Sequence, residues 1–100
     1  MKPNQYKIKE KVWLYPGATP WHFVSVPKKQ AEEIKKKFGG NAKGFGSLPV
    51  SVTIGKTKWK TSIFPEKKTG EYLLPLKAEV RKKEGIMNGD TIIFLLELDS

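Results

Sequence analysis

The stretch from Tyr72 to Leu98, YLLPLKAEVRKKEGIMNGDTIIFLLEL, constrains the fold more than any other part of the chain. It opens on a short apolar strand, Tyr72–Pro75, that ends in proline. A small helix over Leu76–Glu84 follows, and Gly85 stops it, because glycine takes the left-handed cap at no steric cost. Asn88-Gly89-Asp90 reads as a turn, and Thr91–Leu98 is a nearly continuous apolar strand. Strand, helix, turn and strand in that order fit one half of a small β-barrel.

The same grammar occurs earlier in the chain. The first half reads as strand Gln5–Tyr15, turn Pro16–Pro20, strand Trp21–Val26, helix Pro27–Phe38, a glycine loop and strand Leu48–Ile54. The second reads as strand Thr57–Phe64, turn Pro65–Gly70, strand Glu71–Pro75, the helix, the turn and the last strand. Each half is β-β-α-β, and repetition of element order points to an internal pseudo-two-fold. In the first helix Ala31, Ile34 and Phe38 share one face, Glu32 and Glu33 precede Lys36 and Lys37 by four residues, and Gly39 parallels Gly85 as a left-handed cap.

The central hairpin fixes a register. Gly55-Lys56 places glycine first in a two-residue turn, as type II′ requires. Counting outward pairs Ile54 with Thr57, Val52 with Trp59, Val50 with Thr61 and Leu48 with Ile63, all on one core face. Thr53–Lys58 and Ser51–Lys60 then fall on a wet face.

Composition narrows the function classes. A chain of 100 residues is expected to be one domain, 1–100, with halves 1–55 and 56–100. The absence of cysteine excludes a disulfide framework and thiolate chemistry. No apolar run approaches the ~20 residues of a membrane helix, and MKPNQYKIKEKVW lacks a signal-peptide core. The expected compartment is the cytoplasm, with no membrane partner. Net charge is +9, yet Arg81 is the sole arginine among nineteen basic residues. That balance points to polyanions but away from base-specific reading, which draws on arginine's planar fork.

Four ordered blocks carry a family resemblance. They are Trp21–Lys28, WHFVSVPK; Gly44–Val50, GFGSLPV; Trp59–Phe64, WKTSIF; and Tyr72–Lys77, YLLPLK, with Val80-Arg81 and Gly89-Asp90 beyond. Together they resemble domain-of-unknown-function family 1905, whose members are bacterial or archaeal. The second half alone is similar to the AbrB-type half-barrel, in which a proline precedes a short helix and a Gly-Asp turn follows it. The first half has Gly46-Ser47 where that turn would stand. The resemblance implies a mainly β fold with two short helices: a single-chain, pseudo-two-fold double-split, or cradle-loop, β-barrel. With both halves in one chain, a monomer is expected.

The strongest candidate site is the loop Gly39–Ser47. Its glycines let backbone N–H groups approach a ligand. Gly40, Lys43, Gly44, Gly46 and Ser47 would supply donors, and Phe45 a lid. Lys28 and Lys29 at the start of the first helix, with Lys77 and Arg81 in the second, would complete an anion site. Against this, such a loop can be a plain connection, and exposed lysines often serve solubility alone.

An alternative site lies on the strands. Lys7, Lys9 and Lys11 form one stripe and Lys56, Lys58 and Lys60 another. They would track phosphates, while Trp13 would stack on a base. The competing account is edge protection by lysine. Gly55-Lys56-Thr57 is not a phosphate loop, because Val50 stands where the earlier glycine belongs. His22 is the one histidine and has no acid or nucleophile at a motif spacing. The expectation is a non-enzymatic binding module without cofactor or metal. It would contact an anionic ligand or a protein through Gly39–Ser47, or else serve non-specific nucleic-acid binding or AbrB-like transcriptional regulation through the lysine strands.

Overall fold

The computed structural model describes residues 4–17 and 21–99. The strands are β1 (Gln5–Lys11), β2 (Trp13–Tyr15), β3 (Trp21–Val26), β4 (Leu48–Ile54), β5 (Thr57–Glu66), β6 (Glu71–Pro75) and β7 (Thr91–Leu98). The helices are α1 (Lys28–Phe38) and α2 (Ala78–Glu84). The expected turn Pro16–Pro20 lies in part, at 18–20, outside the described residues.

All strand pairs are antiparallel, in the order β1-β7-β4-β5-β6-β3-β2, and the sheet curls into a half-barrel. The expected single strand over Gln5–Tyr15 breaks at Val12. Its first part pairs with β7 and its second with β3, so consecutive segments form the two edges of the sheet. Val12 donates its N–H to the Asp90 carbonyl at 2.7 Å and accepts the Gly89 N–H at 2.9 Å. β5 spans the sheet in a similar way. It pairs with β4 over Thr57–Ile63 and with β6 over Phe64–Glu66, which carries it two residues past its expected end.

The core gathers the inward face of every long strand: Ile8, Val24, Val50, Ile63, Leu74 and Phe94 are among its buried members. Ala31 and Ile34 of α1 and Val80 of α2 close it, with Phe38 packed at its margin. One of the expected ion pairs forms on α1, Lys37 Nζ to Glu33 Oε1 at 3.7 Å. The helix begins one residue later than expected, with Pro27 as its N-cap. Gly39 corrects the expectation of a left-handed cap. Its φ is −58°, and the chain runs on into a 3₁₀ turn over Gly39–Asn41 instead of reversing. Gly85 does take the left-handed form, at φ +62°.

The central hairpin has the expected register at every pair. Gly55 sits at φ +56°, and a Cβ there would run into the Glu84 carboxylate, which accepts a 2.6 Å hydrogen bond from Thr57 Oγ1. The turn thus needs glycine for conformation and for docking α2. Two side chains keep their expected faces but differ in burial. Trp59 is half-buried against the core, not enclosed by it. Ser51, expected on a wet face, is buried, because it lies in a row between the long side chains of Lys60 and Glu97.

Trp59→Ala should therefore cost about 2 kcal/mol, below the range for a fully enclosed tryptophan. Lys58→Ala should be nearly neutral, since Lys58 is exposed and its ion pair to Glu97 Oε1 is long, at 4.0 Å. Urea unfolding of the two variants measures both. Reversed effects would mean a hairpin one residue out of register.

Candidate functional site

Side chains alternate along a strand, and cross-strand partners share a face. The outward residues of β2 and β3 are therefore Trp13, Tyr15, Trp21 and Phe23, with Tyr15 opposite Trp21 and Trp13 opposite Phe23. The same rows continue through Pro75 and Leu73 of β6 to Phe64 of β5. Their rings pack together: Trp13 and Phe23 have centroids 5.4 Å apart, and Trp21 lies nearly parallel to Phe23. Trp13 donates its indole N–H to Ser25 Oγ at 3.1 Å.

Between these side chains lies an open groove of about 370 Å³, lined by Tyr15, Trp21, Phe23, Phe64, Leu73 and Pro75. Its wall is apolar, yet Trp21 is 58% exposed, Tyr15 48% and Phe64 42%. Aromatic rings normally contribute to a small domain by being buried. Here several are held on a sheet with one face turned to solvent. Exposed apolar patches are a recurrent feature of interaction surfaces in general.

The expected loop site comes out differently. Lys43 donates its N–H to the Ser47 carbonyl at 2.8 Å, Gly46 to Lys43 at 2.9 Å, Ser47 to Gly44 at 3.3 Å and Ala42 to Gly39 at 3.2 Å. Those four amides hold the loop's own turns. Ser47 is buried, while Gly40, Lys43 and Gly44 are exposed. Phe45 is 99% exposed and sits at φ +61°, an uncommon conformation for a residue other than glycine. Gly46 lies close against Pro65, so the loop reaches the sheet one residue beyond Phe64 of the groove.

The expected anion-binding lysines divide between two ends of the sheet. Lys28 and Lys29 begin α1, with Lys28 beside Gly70, at the end where Val26 pairs with Tyr72. Lys77 and Arg81 lie beyond Pro75, at the opposite end of the same strand pair. Lys77 is the N-cap of α2, not a first-turn residue. Arg81 fastens its helix to the sheet: its Nε donates to the Leu76 carbonyl at 3.0 Å. It also borders a second, more open cleft with Ala78, Lys82, Gly85, Ile86 and Met87.

Both lysine stripes are exposed on the outer face. Lys7, Leu95, Thr53 and Lys58 form one cross-strand row, which sets the stripes about 14 Å apart across three strand spacings. Each stripe leads into the aromatic cluster. β1 and β2 present Lys7, Lys9, Lys11, Trp13 and Tyr15, and β5 presents Lys58, Lys60, Ser62 and Phe64, with Lys56 in the turn before it. The sequence held a signal for this groove. The hairpin register already places Phe64 on the outward face, and alternation from Lys11 places Trp13 and Tyr15 there.

A model of the family described as Domain of unknown function (DUF1905) matches residues 9–96. The chain belongs to that family. The match takes in the whole groove, the Gly39–Ser47 loop and every stripe lysine except Lys7. No curated protein matches the sequence. Among the described residues of this DUF1905 domain, no group of three His, Cys, Asp or Glu side chains is placed to hold a metal ion. No helix among them is long and apolar enough to cross a membrane.

His22 stands behind the groove with its Nδ1 buried and unpartnered among the described residues. Burial holds the imidazole below its ordinary pKa, and the Arg81 guanidinium adds to that. The folded state therefore takes up a proton less readily than the unfolded chain. The stability this contributes is complete above the unfolded value of about 6.5 and is lost as pH falls through the lower folded value. The wild-type melting temperature should thus drop from pH 7 to pH 5 more steeply than that of His22→Gln. Equal slopes would remove His22 as the cause.

Arg81→Lys should lower stability by about 1 kcal/mol, because lysine lacks the Nε that bonds Leu76 from this position. Thermal unfolding of the variant checks this. An unchanged midpoint would make the side chain interchangeable.

Proposed function

We propose that this DUF1905 domain is a non-enzymatic binding module of the cytoplasm, folded as a monomer, whose binding face is the aromatic groove with the Phe45 loop at one end. The observation that carries this reading is the exposure of Tyr15, Trp21 and Phe64 around an apolar cleft on a hydrogen-bonded sheet. The Gly39–Ser47 loop enters the reading through Phe45, not as an anion cradle, since the amides of Ala42, Lys43, Gly46 and Ser47 are engaged internally. The architecture we infer behind it is a pseudo-two-fold double-split barrel. Its support is the pairing pattern. Exchanging β1–β2 with β5, β3 with β6 and β4 with β7 turns every pair of strands into an existing pair, with β4–β7 and β3–β6 mapping onto themselves. AbrB-type proteins resemble the second half, and fold likeness alone does not carry their activity here.

A second reading, contact with nucleic acid through the lysine strands, is favoured by one observation. The stripes lie on the same outer face as the groove and run into it.

The binding-face reading is tested by two-dimensional NMR of isotope-labelled protein with small soluble aromatics such as indole and adenosine at millimolar concentration. Shifts should centre on the Trp21 indole and the β3 and β6 amides around it. Trp21→Ala should abolish them while the protein melts within a few degrees of wild type, since Trp21 is more than half exposed. Shifts confined to Gly39–Ser47, or none anywhere, would sink the groove as the binding face.

A further inference from the structure

We infer that the groove takes unpaired bases of a single-stranded nucleic acid, stacking them on Trp21, Tyr15 and Phe64, while Lys11 and Lys60 hold the adjoining phosphates. The inference rests on the groove being the binding face. It adds the class of ligand.

Three features together select that class. The groove wall offers ring faces and almost no polar groups, so it suits a flat, apolar surface rather than a hydrogen-bonding one. Every base has such a face, but in a duplex it is covered by its neighbours. Only an unpaired base presents it to a side chain. Second, positive charge adjoins the rings on both flanks. Lys60 stands four residues before Phe64 on β5, about 13 Å along the strand on the same face. Lys11 stands two residues before Trp13, where the first strand bends. An apolar peptide would gain nothing from lysines at both ends of its groove, whereas a strand that carries a phosphate beside every base would. Third, duplex reading normally uses arginine at guanine edges, and the one arginine here is engaged with the Leu76 carbonyl. Stacking with lysine contacts needs no arginine and tolerates any sequence.

The test is fluorescence anisotropy with a labelled twelve-residue oligothymidylate and with a duplex of equal length, at several salt concentrations. Tryptophan fluorescence is followed in parallel. The oligothymidylate should bind more tightly than the duplex and quench the tryptophans. Trp21→Ala should weaken it about tenfold, the size of one lost base stack, and Trp21→Phe should recover most of that. Lys11→Gln with Lys60→Gln should flatten the log-log salt slope by about 1.4, at about 0.7 per phosphate on a single strand. If the duplex binds equally well and Trp21→Ala changes nothing, the lysine stripes act alone and the inference is wrong. If the oligothymidylate does not bind while indole and adenosine still shift Trp21, the ligand class is wrong and the binding face stands. If neither binds, both readings fall. A concentration-dependent dimer that Trp21→Ala dissolves would overturn the inference in favour of a second copy of the chain.

Discussion

Two backbone hydrogen bonds at Val12 decide which segments form the edges of this sheet. A sheet edge exposes unpaired N–H and C=O groups, and small β proteins must limit that exposure. This chain does so by bending one strand so that its first part lies on one edge and its second part on the other. The bend is held where Val12 exchanges hydrogen bonds with Gly89 and Asp90 and buries its side chain. The turn that offers those partners is itself shaped locally. Gly89 takes φ +93°, and the Asp90 carboxylate accepts the Met87 N–H at 2.8 Å. The Asn88-Gly89-Asp90 turn therefore does more than join α2 to β7. It sets the path of the first strand and so stands Trp13 and Tyr15 beside Phe23.

That path produces the division of the outer surface. Alternation continues through the bend, so the outward side chains change from lysine to aromatic along one strand. β5 repeats the change from Lys58 and Lys60 to Phe64. The lysines frame β7 and β4, where Glu97 lies between the stripes and takes a 3.4 Å hydrogen bond from Gln5. One carboxylate there eases the mutual repulsion of the lysines and leaves the outer ends of the stripes positive. The aromatics frame β3 and β6, where no charged side chain among the described residues lines the groove. Two surfaces of opposite character thus meet along the same two strands.

The parts of this architecture governed by short-range rules were legible in the residues. Gly55-Lys56 fixed the hairpin register because the turn type dictates the count, and every pair follows it. Tyr72–Leu98 gave its strand, helix and turn because proline and glycine punctuate it. What escaped depends on distant partners. Val12 carries no sign of a bend, since it is an ordinary apolar residue in an alternating strand. Its partners lie nearly eighty residues on. Gly39 looked like a left-handed cap by analogy with Gly85, but glycine permits that conformation without requiring it. In the Gly39–Ser47 loop the glycines do not reveal that the amides of Ala42, Lys43, Gly46 and Ser47 hold the loop's own turns. The groove was half visible. Alternation turns its aromatics outward, but which strands lie side by side follows only from the order of the strands in the sheet.

Placing the rings on strands and the positive charge on lysines has a thermodynamic consequence. Tyr15, Trp21 and Phe64 stand on a backbone already ordered by its ladder, and each ring has few rotatable bonds. A flat ligand would find the platform formed before it arrives, so little ordering entropy opposes its binding. Lysine is the opposite case: a mobile, strongly hydrated point charge that meets a phosphate without a demanded geometry. A rigid apolar platform edged by mobile cations fixes where a ligand lies but says little about its detailed pattern. Under the binding reading proposed above, such a face would act as a tolerant binder, because the one side chain suited to stricter reading, Arg81, is engaged with the Leu76 carbonyl.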